Sequence, residues 1–232
     1  MIFAGIVAGG SGTRIKSSDK PKQFIEIGRI PIIIRTLKVF LACEKIGKIY
    51  IGINPDWHGF TEALLNIYRI DTKRVKIIDG GENRNDTVMK IVDSIVGDYG
   101  CRSQDIIITH DAVRPFVSQR IIEENIECAI KYKACGTYIP AVDTIIRSRD
   151  GVTADETLKR SLLYQAQTPQ SFSIEALCGC RDSLTPEQTA SLTDTCGIFT
   201  ACDIEIHMVK GEPENFKITT DYDLKIAELI AK

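Results

Sequence analysis

The chain has 232 residues, 44% hydrophobic and 26% charged, a balance that can bury a full core in one unit and predicts a single domain over residues 1–232. A formal net charge of −2 gives no global electrostatic case for nucleic acid or an anionic membrane. Affinity for anions must therefore come from locally placed cations, the expected ligand is small, and no apolar run approaches the ~20 residues that cross a bilayer.

The opening run Phe3-Ala4-Gly5-Ile6-Val7-Ala8 reads as a strand that breaks into Gly9-Gly10-Ser11-Gly12-Thr13-Arg14 and then reaches Pro21-Lys22-Gln23. Glycines at Gly9, Gly10 and Gly12 let backbone N–H groups approach an anion closely, and Arg14 and Lys22 can meet a polyphosphate from two sides. The segment fits neither familiar nucleotide loop. A dinucleotide fingerprint counted from Gly10 and Gly12 would need glycine where Ile15 stands, and a P-loop would need Lys-Ser or Lys-Thr directly after Gly12. A tight turn with no ligand would use the same glycines.

Apolar runs then alternate with segments of helical period: a helix over 32–41, a strand over 49–53, a helix over 60–68, a strand over 75–78, a helix over 85–96, a strand over 105–109 and a helix over 118–133. The strands are short, branched and apolar on both faces. This is the pattern of a mostly parallel sheet covered by helices, with ligands bound beyond the carboxyl ends of the strands. The predicted fold class is a three-layer α/β/α, Rossmann-like domain. After Gly136 the pattern changes: residues 137–142 read as a strand, and 144–147 with 152–153 flank Asp150-Gly151 as a hairpin. A hairpin that small needs a packing partner, so an arm over about 141–160 is expected to lie on a second subunit or fold back on its own domain. A helix from Ile174, a strand over 205–209 and a closing helix over 221–231, capped by Thr220 or Asp221, complete the chain.

Eight scattered cysteines and the start Met1-Ile2-Phe3, with no basic leader, suggest reduced thiols in a cytoplasmic protein. Cys178-Gly179-Cys180 suits neither the redox Cys-x-x-Cys spacing nor the usual zinc knuckles, and no metal held by protein ligands is predicted.

Polar loops at predicted strand ends carry the chemistry. Gly80-Gly81-Glu82-Asn83-Arg84-Asn85-Asp86-Thr87 joins a strand to a helix; it can meet the edge of a base, and it would serve equally as a capped helix start. In Thr109-His110-Asp111-Ala112-Val113-Arg114, Asp111 can hold a hydroxyl, a cation or Arg114 itself, and His110 reads as structural more readily than as a base. Arg14, Lys22, Arg114, Arg160 and Lys217 all stand beside predicted strand ends and are expected to converge on one mouth. A mouth of that kind suits the joining of a nucleoside triphosphate to a phosphate monoester. Mutual repulsion of the two anions is the main obstacle there, and the monoester, with a second pKa of about 6, needs no base to activate it. A silent nucleotide-binding protein and an oxidoreductase on a doubly wound sheet are the other classes such a chain could hold. The three phosphate-facing cations count against the first and the missing third glycine against the second.

Together these motifs, with Asp143-Thr144, Ala166-Gln167-Thr168-Pro169-Gln170 and Lys217-Ile218-Thr219, make the chain resemble, nearly end to end, the cytidylyltransferases that form CDP-linked polyols. The resemblance implies that Arg14 and Lys22 clamp the CTP phosphates, with Lys217 near the α-phosphate. Ala8, Gly9, Gly10, Gly12, Thr13, Gly81, Glu82, Thr87 and Ala112 would surround the nucleotide. Asp111, Arg114, Thr144, Arg160 and Thr168 would hold the polyol phosphate, Thr144 and Arg160 reaching it from the partner's arm in a homodimer. Mg²⁺ would be held mainly by the CTP phosphates. Methylerythritol phosphate enzymes usually read Asp-Ala-Ala-Arg-Pro and Thr-Asp-Glu-Ala-Ser, whereas this chain has Asp111-Ala112-Val113-Arg114-Pro115 and Thr193-Asp194-Thr195-Cys196. On those variants it looks more like the D-ribitol 5-phosphate branch, so the expected product is CDP-ribitol with release of pyrophosphate, and the alternative acceptor is 2-C-methyl-D-erythritol 4-phosphate.

Overall fold

Strands and helices alternate from the amino terminus. The computed structural model describes residues 1–10 and 20–231. β1 (Ile2–Val7) is followed by a small pair of strands, β2 (Glu26–Ile27) and β3 (Ile30–Pro31), then by α1 (Ile32–Ala42), β4 (Lys48–Ile53), α2 (His58–Ile67), β5 (Val75–Asp79), α3 (Arg84–Tyr99), β6 (Ile106–Asp111) and α4 (Gln119–Tyr132). The second part contains β7 (Ala134–Pro140), β8 (Ile146–Arg147), β9 (Glu156–Thr157), β10 (Tyr164–Ser173), α5 (Ile174–Ser183), α6 (Pro186–Ser191), α7 (Cys196–Thr200), β11 (His207–Lys210) and α8 (Asp221–Ile230).

Seven strands form one sheet in the order β11-β7-β10-β6-β1-β4-β5, parallel throughout except for β10, which runs against both β6 and β7. Side chains alternate across it. Ala4, Ile6, Ile49, Ile51 and Ile108 pack under α1, α2 and α4, while Phe3, Tyr50, Ile107 and Phe172 pack against α3, α5 and α7. The expected α/β/α layering is therefore present. β1 pairs with β4 on one side and β6 on the other, so the strand order reverses at β1 and leaves a crevice at its carboxyl end.

The second part departs from the sequence reading in several places: α6 and α7 were not expected, and the strand expected over 205–209 is observed as β11, His207–Lys210. Residues 152–153 do not pair as a strand, because the Asp150 carboxylate accepts from the N–H groups of Val152 and Thr153 and bends the chain there; β8 pairs with β9 across a longer turn. The strand expected at 137–142 is observed as β7, which begins earlier and stops at Pro140. β10, with Gln165, Gln167, Gln170 and Pro169 in its length, lacks an apolar signature and is set by its two neighbours, with a register shift between Gln167 and Gln170. α8 starts at the cap Thr220, whose hydroxyl accepts from the N–H of Asp223. Among the described residues no helix is long and apolar enough to cross a membrane.

Candidate active site

Three strand ends and one late loop meet at the crevice. The chain leaves β1 through Ala8, whose N–H bonds Gly52 at 2.8 Å, and leaves β6 through Ala112, whose N–H bonds Val7 at 3.0 Å. Ile218 N–H bonds the Val113 carbonyl at 3.0 Å and thereby brings Lys217 to the same mouth. Ala8, Gly9, Gly10, Lys22, Gly81, Glu82, Thr87, Asp111, Ala112 and Lys217 all line this cleft, joined by Gln23, Asn83, Arg84 and Val113.

Asp111 organises the floor. It is buried, and its Oδ1 accepts from Arg84 Nε at 2.9 Å while Oδ2 lies 2.9 Å from Lys217 Nζ and 3.7 Å from Arg114 Nε. Burial alone would push the Asp111 carboxyl up, but Arg84, Lys217 and Arg114 together hold it well below the usual carboxylate range. Arg114 is buried behind it, and its Nη1 donates to the Asn215 carbonyl at 2.8 Å. Three cations over one carboxylate leave a surplus of positive charge where the chain's average charge is slightly negative.

His110 and Thr168 lock that carboxylate's backbone. His110 is fully buried and bonds the Arg114 carbonyl through Nε2 at 3.0 Å, so that nitrogen carries the proton. Its Nδ1 then accepts from the Thr168 hydroxyl at 3.1 Å, and the same hydroxyl accepts from Asp111 N–H at 3.1 Å. Burial pushes the His110 imidazole down to about 4, so near neutral pH it is an uncharged strut rather than a base.

The opposite wall is a loop fitted closely onto a helix start. Asn83 caps α3 by accepting from Asp86 N–H at 3.0 Å, and the Thr87 hydroxyl donates to the Asn83 carbonyl and accepts from Gly81 N–H, both at 2.9 Å. Gly81 admits no side chain, since a Cβ there would fall 2.3 Å from the Asp86 Cβ and 2.8 Å from the Thr87 nitrogen. Across the cleft the buried Gln23 amide donates to the Ala8 carbonyl at 2.7 Å and ties the end of β1 to the short helical turn Lys22–Phe24.

Of the five cations expected to converge, Lys22, Lys217 and Arg114 gather at the cleft or just behind it. Arg160 does not: it is exposed on the arm, donating to the Val142 carbonyl at 3.0 Å, and Thr144 is likewise exposed on the arm away from the cleft. Gly12, Thr13 and Arg14 lie outside the described residues. The structure adds Arg84 and Thr195, to which sequence reasoning gave no role. Arg84 Nη1 donates to the Thr195 hydroxyl at 3.0 Å, and that hydroxyl bonds Asn85 Oδ1 at 3.3 Å. The signal for Arg84 was an arginine in the first turn of α3, where a cation opposes the helix dipole and needs another reason to be present; Thr195 stood out only as a departure from the methylerythritol pattern. Among the described residues no group of three or more His, Cys, Asp or Glu side chains is placed to hold a metal ion, and the eight cysteines are free thiols.

Comparison with known proteins gives the family and agrees with the fold. The family model for 2-C-methyl-D-erythritol 4-phosphate cytidylyltransferase matches residues 2–232. The 4-diphosphocytidyl-2C-methyl-D-erythritol synthase of Anaerococcus prevotii is similar at 27% identity and a TM-score of 0.81, with 99% of this chain and 95% of that one covered. The 2-C-methyl-D-erythritol 4-phosphate cytidylyltransferase of Francisella tularensis is similar at 25% identity and a TM-score of 0.82, with 98% of each chain covered. The enzyme of that name from Thermus thermophilus, at 22% identity and a TM-score of 0.77 over 100% of this chain and 99% of that one, shares the fold.

Proposed function

The chain belongs to the 2-C-methyl-D-erythritol 4-phosphate cytidylyltransferase family of CTP-using nucleotidyltransferases, and from that premise we propose that it joins CTP to a polyol phosphate, with 2-C-methyl-D-erythritol 4-phosphate as the acceptor its relatives support. A phosphate oxygen of the acceptor attacks the α-phosphorus of CTP, the bond between that phosphorus and the bridging α,β-oxygen breaks, and pyrophosphate leaves with the electron pair. The observation that carries this reading is the gathering of Lys217, Arg84 and Arg114 on one buried carboxylate in the cleft that Gly9 and Gly10 also line. Such a cluster neutralises two anions brought together, and the rate comes from alignment and charge stabilisation. Lys22 and the turn at Gly9 and Gly10 face the triphosphate, the loop at Gly81 faces the base, and the Asp111 side faces the acceptor. Both Asp111 oxygens are engaged by cations, which supports Mg²⁺ arriving as part of the nucleotide substrate, bound by the triphosphate.

A second acceptor, D-ribitol 5-phosphate, is favoured by departures from the methylerythritol pattern, among them Val113 and Thr195. Thr195 is buried behind Arg84 and bonds it, at a position where a carboxylate would pair with Arg84 and compete with Asp111. Val113 packs with Ile27, Ile32 and Ile218, so its extra methyls are accommodated by the core beneath the cleft. Incubating the protein with CTP, Mg²⁺ and each polyol phosphate in turn, and measuring pyrophosphate, tests both readings. Release with methylerythritol phosphate is expected on the first, release with ribitol phosphate alone establishes the second, and release with neither refutes the transfer.

The arm completes the proposal. Thr144 and Arg160 stand away from their own cleft on a segment that exposes Val142 at 76% and Leu162 at 71%, which supports a homodimer in which each arm reaches the partner's site.

A further inference from the structure

Arg84 uses only part of its hydrogen-bonding capacity. Nε is taken by Asp111 and Nη1 by Thr195, but Nη2 is a buried donor with no partner among the described residues. A guanidinium N–H out of contact with both water and protein is costly, and such groups persist where a ligand supplies the missing acceptor. Arg84 lines the cleft next to Asp111, whose two oxygens are occupied by Arg84 and Lys217. Arg114 Nε is likewise buried without a hydrogen bond, 3.7 Å from Asp111 Oδ2; Gln170 Oε1 and Asn215 Oδ1 are buried acceptors without partners among the described residues, but Arg84 is the one of these four residues that lines the cleft, and what its free donor lacks is an acceptor oxygen such as an anion supplies.

We propose that Arg84 is an acceptor-reading residue, donating from Nη2 to an oxygen of the polyol phosphate, and that Thr195 positions it. This rests on the transfer reaction proposed above and adds a contact to it. Thr195 belongs to a framework: its hydroxyl links Arg84 to Asn85, and the neighbouring Asp194 carboxylate accepts from Gln170 Nε2 at 2.6 Å and from Gly197 N–H at 3.0 Å. The loop between α6 and α7, remote in sequence from the glycine turn, thereby sets the orientation of a group on the acceptor's side.

The test is steady-state kinetics of Arg84→Lys and Thr195→Val with the acceptor that the wild type uses, measuring KM for CTP and for the acceptor separately, with urea midpoints to confirm folding. Arg84→Lys keeps a cation for Asp111 but loses the planar donor, and is expected to raise the acceptor KM about ten- to a hundredfold while changing the CTP KM by less than about twofold. Thr195→Val is expected to act in the same direction, severalfold. A residue that only propped Asp111 would on removal also release Lys217, which shares that carboxylate, and both KM values would rise together. A parallel rise, or an unchanged acceptor KM in a folded variant, overturns the assignment. If Arg84→Lys fails to fold, Thr195→Val decides by the same criterion. A wild type inert with both polyol phosphates overturns the transfer reading itself, whereas an active wild type with an unaffected variant overturns this assignment alone.

Discussion

His110 shows how a single residue changes meaning between sequence and structure. Beside Asp111 in the sequence it reads as a structural residue or a base; in the fold it is sealed from solvent and holds Thr168 and the Arg114 carbonyl in place. Its folded pKa of about 4 lies below the ordinary value of about 6.5, so the unfolded chain binds the proton first as pH falls. The contribution of neutral His110 to stability is thus complete above about pH 6.5 and is lost through the window down to about pH 4, to an extent on the order of 3 kcal/mol. Urea midpoints at pH 7.5 and pH 5 are expected to differ more for the wild type than for His110→Asn; an equal drop in both would show that the imidazole is not the titrating group. Asp111 was legible as a site residue because a carboxylate after an apolar strand has no packing reason to be there. That its partners would be Arg84 and Lys217 was not legible, since they stand 27 and 106 positions away and nothing local couples them.

At the scale of elements, the loop from Gly80 to Thr87 shows why strand ends were readable and the long strand β10 was not. Gly-Gly followed by a capping residue marks a sharp turn into a helix from local chemistry alone, and α3 begins where that chemistry puts it. β10 carries a proline and three glutamines, and is a strand only because β6 and β7 flank it and satisfy its backbone. The close fit of the loop makes a specific expectation. Gly81→Ala drives a methyl into Asp86 and the Thr87 nitrogen, so the backbone must shift at the wall proposed to face the base. CTP affinity by calorimetry is expected to fall at least tenfold, with unfolding changed by no more than about 1–3 kcal/mol; unaltered CTP affinity would remove this loop from the nucleotide side.

For the molecule as a whole, the question is whether one chain holds a complete site. The cleft gathers Lys22, Lys217, Arg84, Arg114 and Asp111 in a single protomer, while Thr144 and Arg160 stay out on the arm. The proposed homodimer predicts intersubunit complementation: Lys22→Ala and Arg160→Ala, each inactive as a homodimer, regain turnover once their subunits are mixed and exchanged. A mixture that stays silent while light scattering reports a dimer would mean that the arms do not cross, and a monomer at micromolar concentration would remove the exchange altogether.

By itself the sequence determined the alternation of strand and helix, the capped loop after β5 and the acid that ends β6. Each of these depends on residues within a few positions of one another: side-chain period, backbone freedom and capping are local properties. Only the tertiary structure decided that Arg84 and Lys217 share Asp111, that Thr195 bonds Arg84 and that β10 runs against its neighbours. Those outcomes depend on charge pairing and backbone satisfaction between distant segments, which local pattern does not encode and which packing of the sheet settles.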